Sequence, residues 1–111
     1  MSPRRFLTDF EFMILLAILR VGEDAYGVPI AAEIEGTAGR PVARAAVYTA
    51  LDRLEANGLV RSRRGDPSGV RGGRAKRYFH VTTKGVRAVE DTRGAFTALW
   101  TGIPQLKGGL A

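Results

Sequence analysis

Cysteine is absent from the 111 residues of this chain, which excludes disulfides, thiol catalysis and thiolate zinc sites. That absence fits a reducing cytoplasm. Histidine occurs once, at His80, with no second ligand at metal-binding spacing and no nucleophile to pair with. Long apolar runs are also missing. The best one, FEFMILLAILRV, is too short and too charged at its ends for a bilayer, which needs about 20 apolar residues. Arg4 and Arg5 before it lend PRRFL a faint likeness to a twin-arginine export signal. However, Asp9 and Glu11 stand where an apolar region should begin, and RVGEDAYG holds no small-x-small cleavage site. A cytoplasmic chain is expected. The segment GVRGGRAK lacks the G-x-x-x-x-G-K-[ST] order of a phosphate loop, and no paired-carboxylate constellation supports hydrolysis. Neither an enzyme nor a cofactor is expected.

Acidic residues are scarce in one place above all. Residues 61–77, RSRRGDPSGVRGGRAKR, hold seven Lys or Arg against the single acid Asp66, which accounts for the whole net charge of +6. The rest of the chain is balanced. A cluster of this kind is the footprint of an anionic partner, whereas evenly spread charge gives only nonspecific adhesion. With 45% hydrophobic residues, the chain is long enough for one compact core and too short for two.

Four helices and one hairpin follow from the pattern. TDFE places a capping box at Thr8 and Glu11, opening a helix that runs to about residue 21 before Gly22. Between Phe10 and Val21 only Glu11 and Arg20 are polar, so this helix is apolar nearly all round. A helix of that kind is either buried on two sides within its own domain or, as the small size of the chain favours, packed on its own core with one face and on a second subunit with the other. A second helix starts near Tyr26 or Gly27, tolerates Pro29 in its first turn, and buries Ile30, Ile34 and alanines. A short extended piece around Pro41 and Val42 comes next. The third helix, residues 44–57, buries Val47, Leu51 and Leu54, ends at Gly58, and leaves Arg44, Ala45, Tyr48, Thr49, Asp52 and Arg53 near or on its other side.

Strands are expected over 59–64 and 75–81, joined by a tip with Pro67, Gly69, Gly72 and Gly73. Phe79 and Val81 share the core face of the return strand, opposite Tyr78 and His80. The tip, 66–73, is expected to be unordered without a partner. A fourth helix is capped by Thr82 or Thr83 and finishes before Pro104. Val86, Val89, Phe96, Trp100 and Ile103 form its apolar series with Arg93 at the one polar place, a pattern suited to lying along another helix. The tail QLKGGLA is expected to fray.

This order is mainly α with a small β-hairpin: a winged helix-turn-helix over residues 1–81, followed by a C-terminal dimerisation helix and tail over 82–111. In that architecture the third helix enters the DNA major groove and the wing meets the neighbouring backbone or minor groove. Arg44, Tyr48 and Thr49 then offer one charged donor and two hydroxyls. Arg71, Arg74, Lys76 and Arg77 offer phosphate-binding cations on the wing.

The segments DAYGVPIAAEIE, RAAVYTALDRLEANGLV and GGRAKRYFHVTTKG, in this order, resemble the PadR-like transcriptional regulators over about residues 6–100. The resemblance implies that Tyr26 and Gly27 open the second helix, that Tyr48, Thr49 and Arg53 contact DNA, and that Lys76 and Tyr78 lie on the return limb of the wing. It also implies a homodimer in which the C-terminal helix packs on the partner's first helix. Phe12, Leu16, Val89, Phe96, Leu99, Trp100 and Ile103 are the interface candidates. The same resemblance admits a small planar hydrophobic effector against Trp100, weighed against a plain aromatic anchor of the dimer contact. Tyr48 and Tyr26 each have a packing alternative. Ala43 and Ala45 stand where many relatives have Ser or Thr and then Gly, so the third helix lacks a cap, and the C-terminal helix is that of a short subgroup. The expected activity is repression from a pseudo-palindromic, double-stranded operator. A basic RNA-binding or ribosome-associated module and a protein-interaction adaptor are the alternatives.

Overall fold

The computed structural model describes residues 6–65 and 76–108. The tip 66–73, with Arg71, and the neighbouring Arg74 and Ala75 lie outside them. So does the question of whether the tip is ordered.

Helix α1 (Asp9–Val21) begins as its sequence requires: Glu11 N–H donates to the Thr8 hydroxyl (3.2 Å) and Thr8 N–H donates to the Glu11 carboxylate (2.9 Å). Ile14, Leu15, Ala17 and Ile18 face the core, while Leu16 and Leu19 are exposed. After a 3₁₀ turn over Gly22–Asp24, helix α2 (Gly27–Glu33) loosens into a π-helical turn over Ile34–Ala38. Arg20 of α1 reaches Glu33 of α2 at 2.7 Å, and Ile30, Ala31 and Ile34 complete that packing.

Helix α3 (Arg44–Ala56) buries Val47, Ala50, Leu51 and Leu54. Its N-cap, Ala43, supplies no side-chain hydrogen bond, as the missing Ser or Thr implies. At its other end Leu59 N–H donates to the Leu54 carbonyl and Gly58 N–H to that of Glu55, a Schellman closure with Gly58 at φ 77° and Leu54 and Leu59 both buried.

Strands β1 (Val60–Arg64) and β2 (Arg77–Val81) pair antiparallel with Val60 opposite Val81, Ser62 opposite Phe79 and Arg64 opposite Arg77. Phe79 is buried and His80 exposed, so the expected alternation holds there. The segment at Pro41 and Val42 forms no strand. The contact with the hairpin comes from Ala25 instead, whose carbonyl accepts from Phe79 N–H at 2.8 Å along the outer edge of β2.

Helix α4 (Thr83–Trp100) is capped by Thr82, whose hydroxyl accepts from Gly85 N–H (3.0 Å) and donates to the Gly58 carbonyl (2.7 Å). Its inward residues are Gly85, Ala88, Val89 and Thr92. The polar place facing inward is therefore Thr92, which accepts from Leu7 N–H at 3.0 Å, and Arg93 points outward. The stripe that Gly85, Ala88, Val89 and Thr92 turn to the chain's own core continues at helical spacing into Phe96 and Leu99, where it runs past that core and is exposed.

Gly85 is where α4 comes closest to the hairpin. A Cβ there would stand 2.2 Å from the Leu59 carbonyl oxygen and 2.6 Å from Val81, and backbone cannot yield as a flexible side chain would. Gly94, farther along the same helix, has nothing within 4 Å of such a Cβ. Gly85→Ala should therefore destabilise the fold by about 1–3 kcal/mol, whereas Gly94→Ala should stabilise it by about 0.5–1 kcal/mol through helix propensity. Urea unfolding of the two variants checks the opposite signs.

Candidate nucleic-acid interface

The register of the hairpin sorts its cations onto two faces. Arg61, Arg63, Tyr78 and His80 share the outer face, and Ser62, Arg64, Arg77 and Phe79 share the one turned toward α3. These two sets of cations meet different neighbours.

On the outer face, the Arg63 guanidinium lies over the Tyr78 ring at 4.7 Å from its centroid and donates to the Glu23 carbonyl at 3.3 Å. Tyr78 meets Tyr26 edge to face at 5.7 Å. The Lys76 ammonium sits 4.5 Å from the Tyr26 ring centroid and 3.3 Å from its hydroxyl. Cation–π contact holds these charges by their stems without neutralising them. Tyr26 is the residue just before α2. Gly27 beside it lies against Tyr48 of α3, so closely that a Cβ on Gly27 would be 2.3 Å from the Tyr48 hydroxyl. Tyr48 thus packs across α2 and is still 39% exposed.

On the exposed face of α3, Arg44, Tyr48, Thr49 and Arg53 all reach solvent. The Thr49 hydroxyl donates back to the Ala45 carbonyl at 2.9 Å, leaving its oxygen as an acceptor. A chain of contacts thus runs from Tyr48 through the buried Gly27 to its neighbour Tyr26, and from there to Lys76, Tyr78 and Arg63.

Arg77 stands apart from the other expected contacts. Its guanidinium donates to Asp52 at 3.1 Å and to Glu55 at 2.5 Å, both on α3, and covers the Phe79 ring at 4.9 Å. Glu55 in turn accepts from Ser62 N–H (3.0 Å) and the Ser62 hydroxyl (2.7 Å). The Ser62 hydroxyl bond, more than the Arg77 charge, holds the Glu55 carboxyl below its ordinary value, against a smaller opposing effect of burial. Sequence reading missed this set, together with Arg61 and Arg63. Period-two alternation through RSRR would have found the two arginines, but nothing in the sequence links Glu55 to residue 77.

The interface candidates divide similarly. Leu16, Phe96, Leu99 and Ile103 are exposed, and Trp100 is half-buried with its indole N–H unpaired among the described residues. Val89 belongs instead to the chain's own core, and Phe12 packs against that core. Between α1 and α2 lies an open apolar groove of about 420 Å³, lined by Met13, Leu16, Ala17, Leu19 and Ile34, with Glu33 and Arg20 at its border. Among the described residues, no three His, Asp or Glu side chains converge to hold a metal, and no helix is long and apolar enough to cross a membrane.

Residues 15–91 match the family described as transcriptional regulator PadR-like. Among solved structures, RosR of H. salinarum superposes with a TM-score of 0.67 at 26% identity, over 93% of this chain and 86% of that one. A transcriptional regulator from Clostridium thermocellum gives 0.70 at 20% identity, over 88% and 92%. A PadR-like transcriptional regulator from Bacillus cereus gives 0.65 at 22%, over 81% and 82%. At these last two identities the likeness speaks for the fold alone. No curated protein sequence matches the chain.

The depressed Glu55 carboxyl sets a sign for acid sensitivity. Its stabilising effect is complete above the unfolded carboxylate value of about 4.3 and is lost as pH falls through the lower folded value. In urea titrations between about pH 5 and pH 3, the parent should lose stability more steeply than Glu55→Gln. Equal slopes would show that the carboxylate contributes nothing.

Proposed function

We propose, for a chain that belongs to the PadR-like family of transcriptional regulators, that it binds a pseudo-palindromic duplex operator as a homodimer and represses transcription from it. Helix α3 lies in the major groove, with Arg44, Tyr48, Thr49 and Arg53 toward bases and phosphates, and the hairpin lies on the adjoining backbone. The observation that carries this reading is the chain of contacts from Tyr48 on α3 through the buried Gly27 to its neighbour Tyr26 and from there to Lys76. It links the exposed face of the helix to the cationic wing through direct contacts. On the wing, Arg71 and Arg74 extend the cationic run of the sequence.

Dimerisation explains the apolar surfaces that one copy leaves in water. Leu99 is 75% exposed and Phe96 52%, where the apolar stripe of α4 extends beyond the chain's own core. The groove between α1 and α2 is an apolar receptor for the same helix of a partner. Two α3 helices related by the dimer axis then meet half-sites about one helical turn, roughly 34 Å, apart. A planar hydrophobic effector near Trp100 would relieve repression only by binding better to a dimer with a different half-site distance.

Selection from random duplexes at physiological salt tests the function. Enrichment of a two-fold-related motif is the expected outcome. Binding with a steep salt dependence but no sequence preference would point to a general RNA- or DNA-binding module, and no binding at all to an adaptor. On the selected duplex, Lys76→Gln should weaken cognate and random binding alike and lower the salt slope by about one unit. The double variant Phe96→Glu, Leu99→Glu should sediment as a folded monomer where the parent sediments as a dimer.

A further inference from the structure

Two carboxylates, Asp52 and Glu55, stand on the helix that the proposed function turns toward DNA, where each would repel phosphate. On charge alone, their removal should strengthen binding. Their geometry gives them another role.

Glu55 lies on the last turn of α3 and faces the edge of β1. Ser62 N–H points away from β2, because the hydrogen-bonded pairs of the ladder are those of the other parity, such as Gly65 with Lys76. One oxygen of Glu55 takes that edge N–H and the Ser62 hydroxyl, while the other takes Arg77 from the opposite strand. Asp52 binds the remaining arm of Arg77 one turn earlier on α3. A single carboxylate therefore holds both strands to the helix.

The covalent link between α3 and β1 is the short turn of residues 57–59. Five strand residues put the far end of β1 about 17 Å from it. A rotation of about 10° there displaces the wing by about 3 Å, more than a hydrogen bond tolerates.

We propose that Glu55 and Ser62 are positioning residues for DNA recognition: they fix the angle between α3 and the wing, and they commit Arg77 to that clamp instead of to phosphate. This inference rests on the DNA-binding reading above. Charge-neutral changes at Ser62 separate the clamp from electrostatics. The clamp also explains the Phe79 stacking of Arg77, which keeps the guanidinium in the orientation that Asp52 and Glu55 require.

The test is fluorescence anisotropy on the selected duplex and on a random duplex, using the full chain and its Ser62→Ala, Ser62→Thr and Glu55→Ala variants. Amide exchange at Ser62 is followed in the absence of DNA. The clamp predicts that Ser62→Ala and Glu55→Ala weaken cognate binding about 10-fold at a temperature where both are folded, that Ser62→Thr restores it, and that Ser62 N–H exchanges faster in Glu55→Ala. Variants that bind as tightly as the parent or tighter, including ones that only melt earlier, would overturn it. So would unchanged Ser62 exchange, whatever happens with DNA. Failure of the parent to bind any duplex would overturn the DNA-binding reading and the positioning role together. Failure of the variants alone to differ would leave that reading standing and overturn the clamp.

Discussion

A two-stranded hairpin is barely stable by itself in water, and the attachment of this one to the helices is what the rest of the structure depends on. It is held in three ways. Phe79 anchors its middle in the core, Ala25 pairs with the free edge of β2, and Glu55 pairs with the free edge of β1. Both edges are thereby at least partly blocked, which also removes the template that an open strand offers to other chains. The base of the hairpin is closed by Thr82, whose hydroxyl serves the Gly58 carbonyl and the start of α4 at once. Everything proposed for the wing presupposes this frame.

The frame divides the basic residues by use. Arg77 is paired with Asp52 and Glu55 and acts inside the protein, whereas Lys76 and Arg63 rest on tyrosine rings and keep their charge available. A cation over an aromatic face remains solvated on its other side, so stacking orders the side chain at little electrostatic loss. The same division recurs among the apolar residues. Helix α1 gives one side to the chain's own core and leaves Leu16 and Leu19 outward on the other, while α4 gives the first half of its apolar stripe to the core and leaves Phe96 and Leu99 outward on the second.

Much of this was legible in the sequence because local chemistry decided it. The capping box at Thr8, the stripe Val47, Leu51, Leu54, the Gly58 closure and the burial of Phe79 all depend on residues within a turn or a strand of one another. Rotation of α4 was less legible. The series Val86, Val89, Phe96, Trp100 and Ile103 leaves the place between Val89 and Phe96 open to residue 92 or 93, and the hydrogen bond from Leu7, 85 positions away, marks Thr92 as the inward one. The extended piece at Pro41 and Val42 joins no strand, and the outer edge of β2 bonds Ala25 instead. Arg77 could not be separated from the other wing cations by composition. Its partners Asp52 and Glu55 lie 25 and 22 residues earlier, and their proximity is a product of the folded hairpin.

The central claim is that α3 and the wing engage duplex DNA as one rigid unit, twice, about a two-fold axis. Hydroxyl-radical footprinting of the protein on a duplex carrying its selected motif tests it most directly. The account predicts two equivalent protected segments centred about one helical turn apart, each flanked by a separate protection where the wing meets the backbone. A single unbroken footprint without two-fold symmetry, or paired footprints lacking the flanking protections, would contradict it.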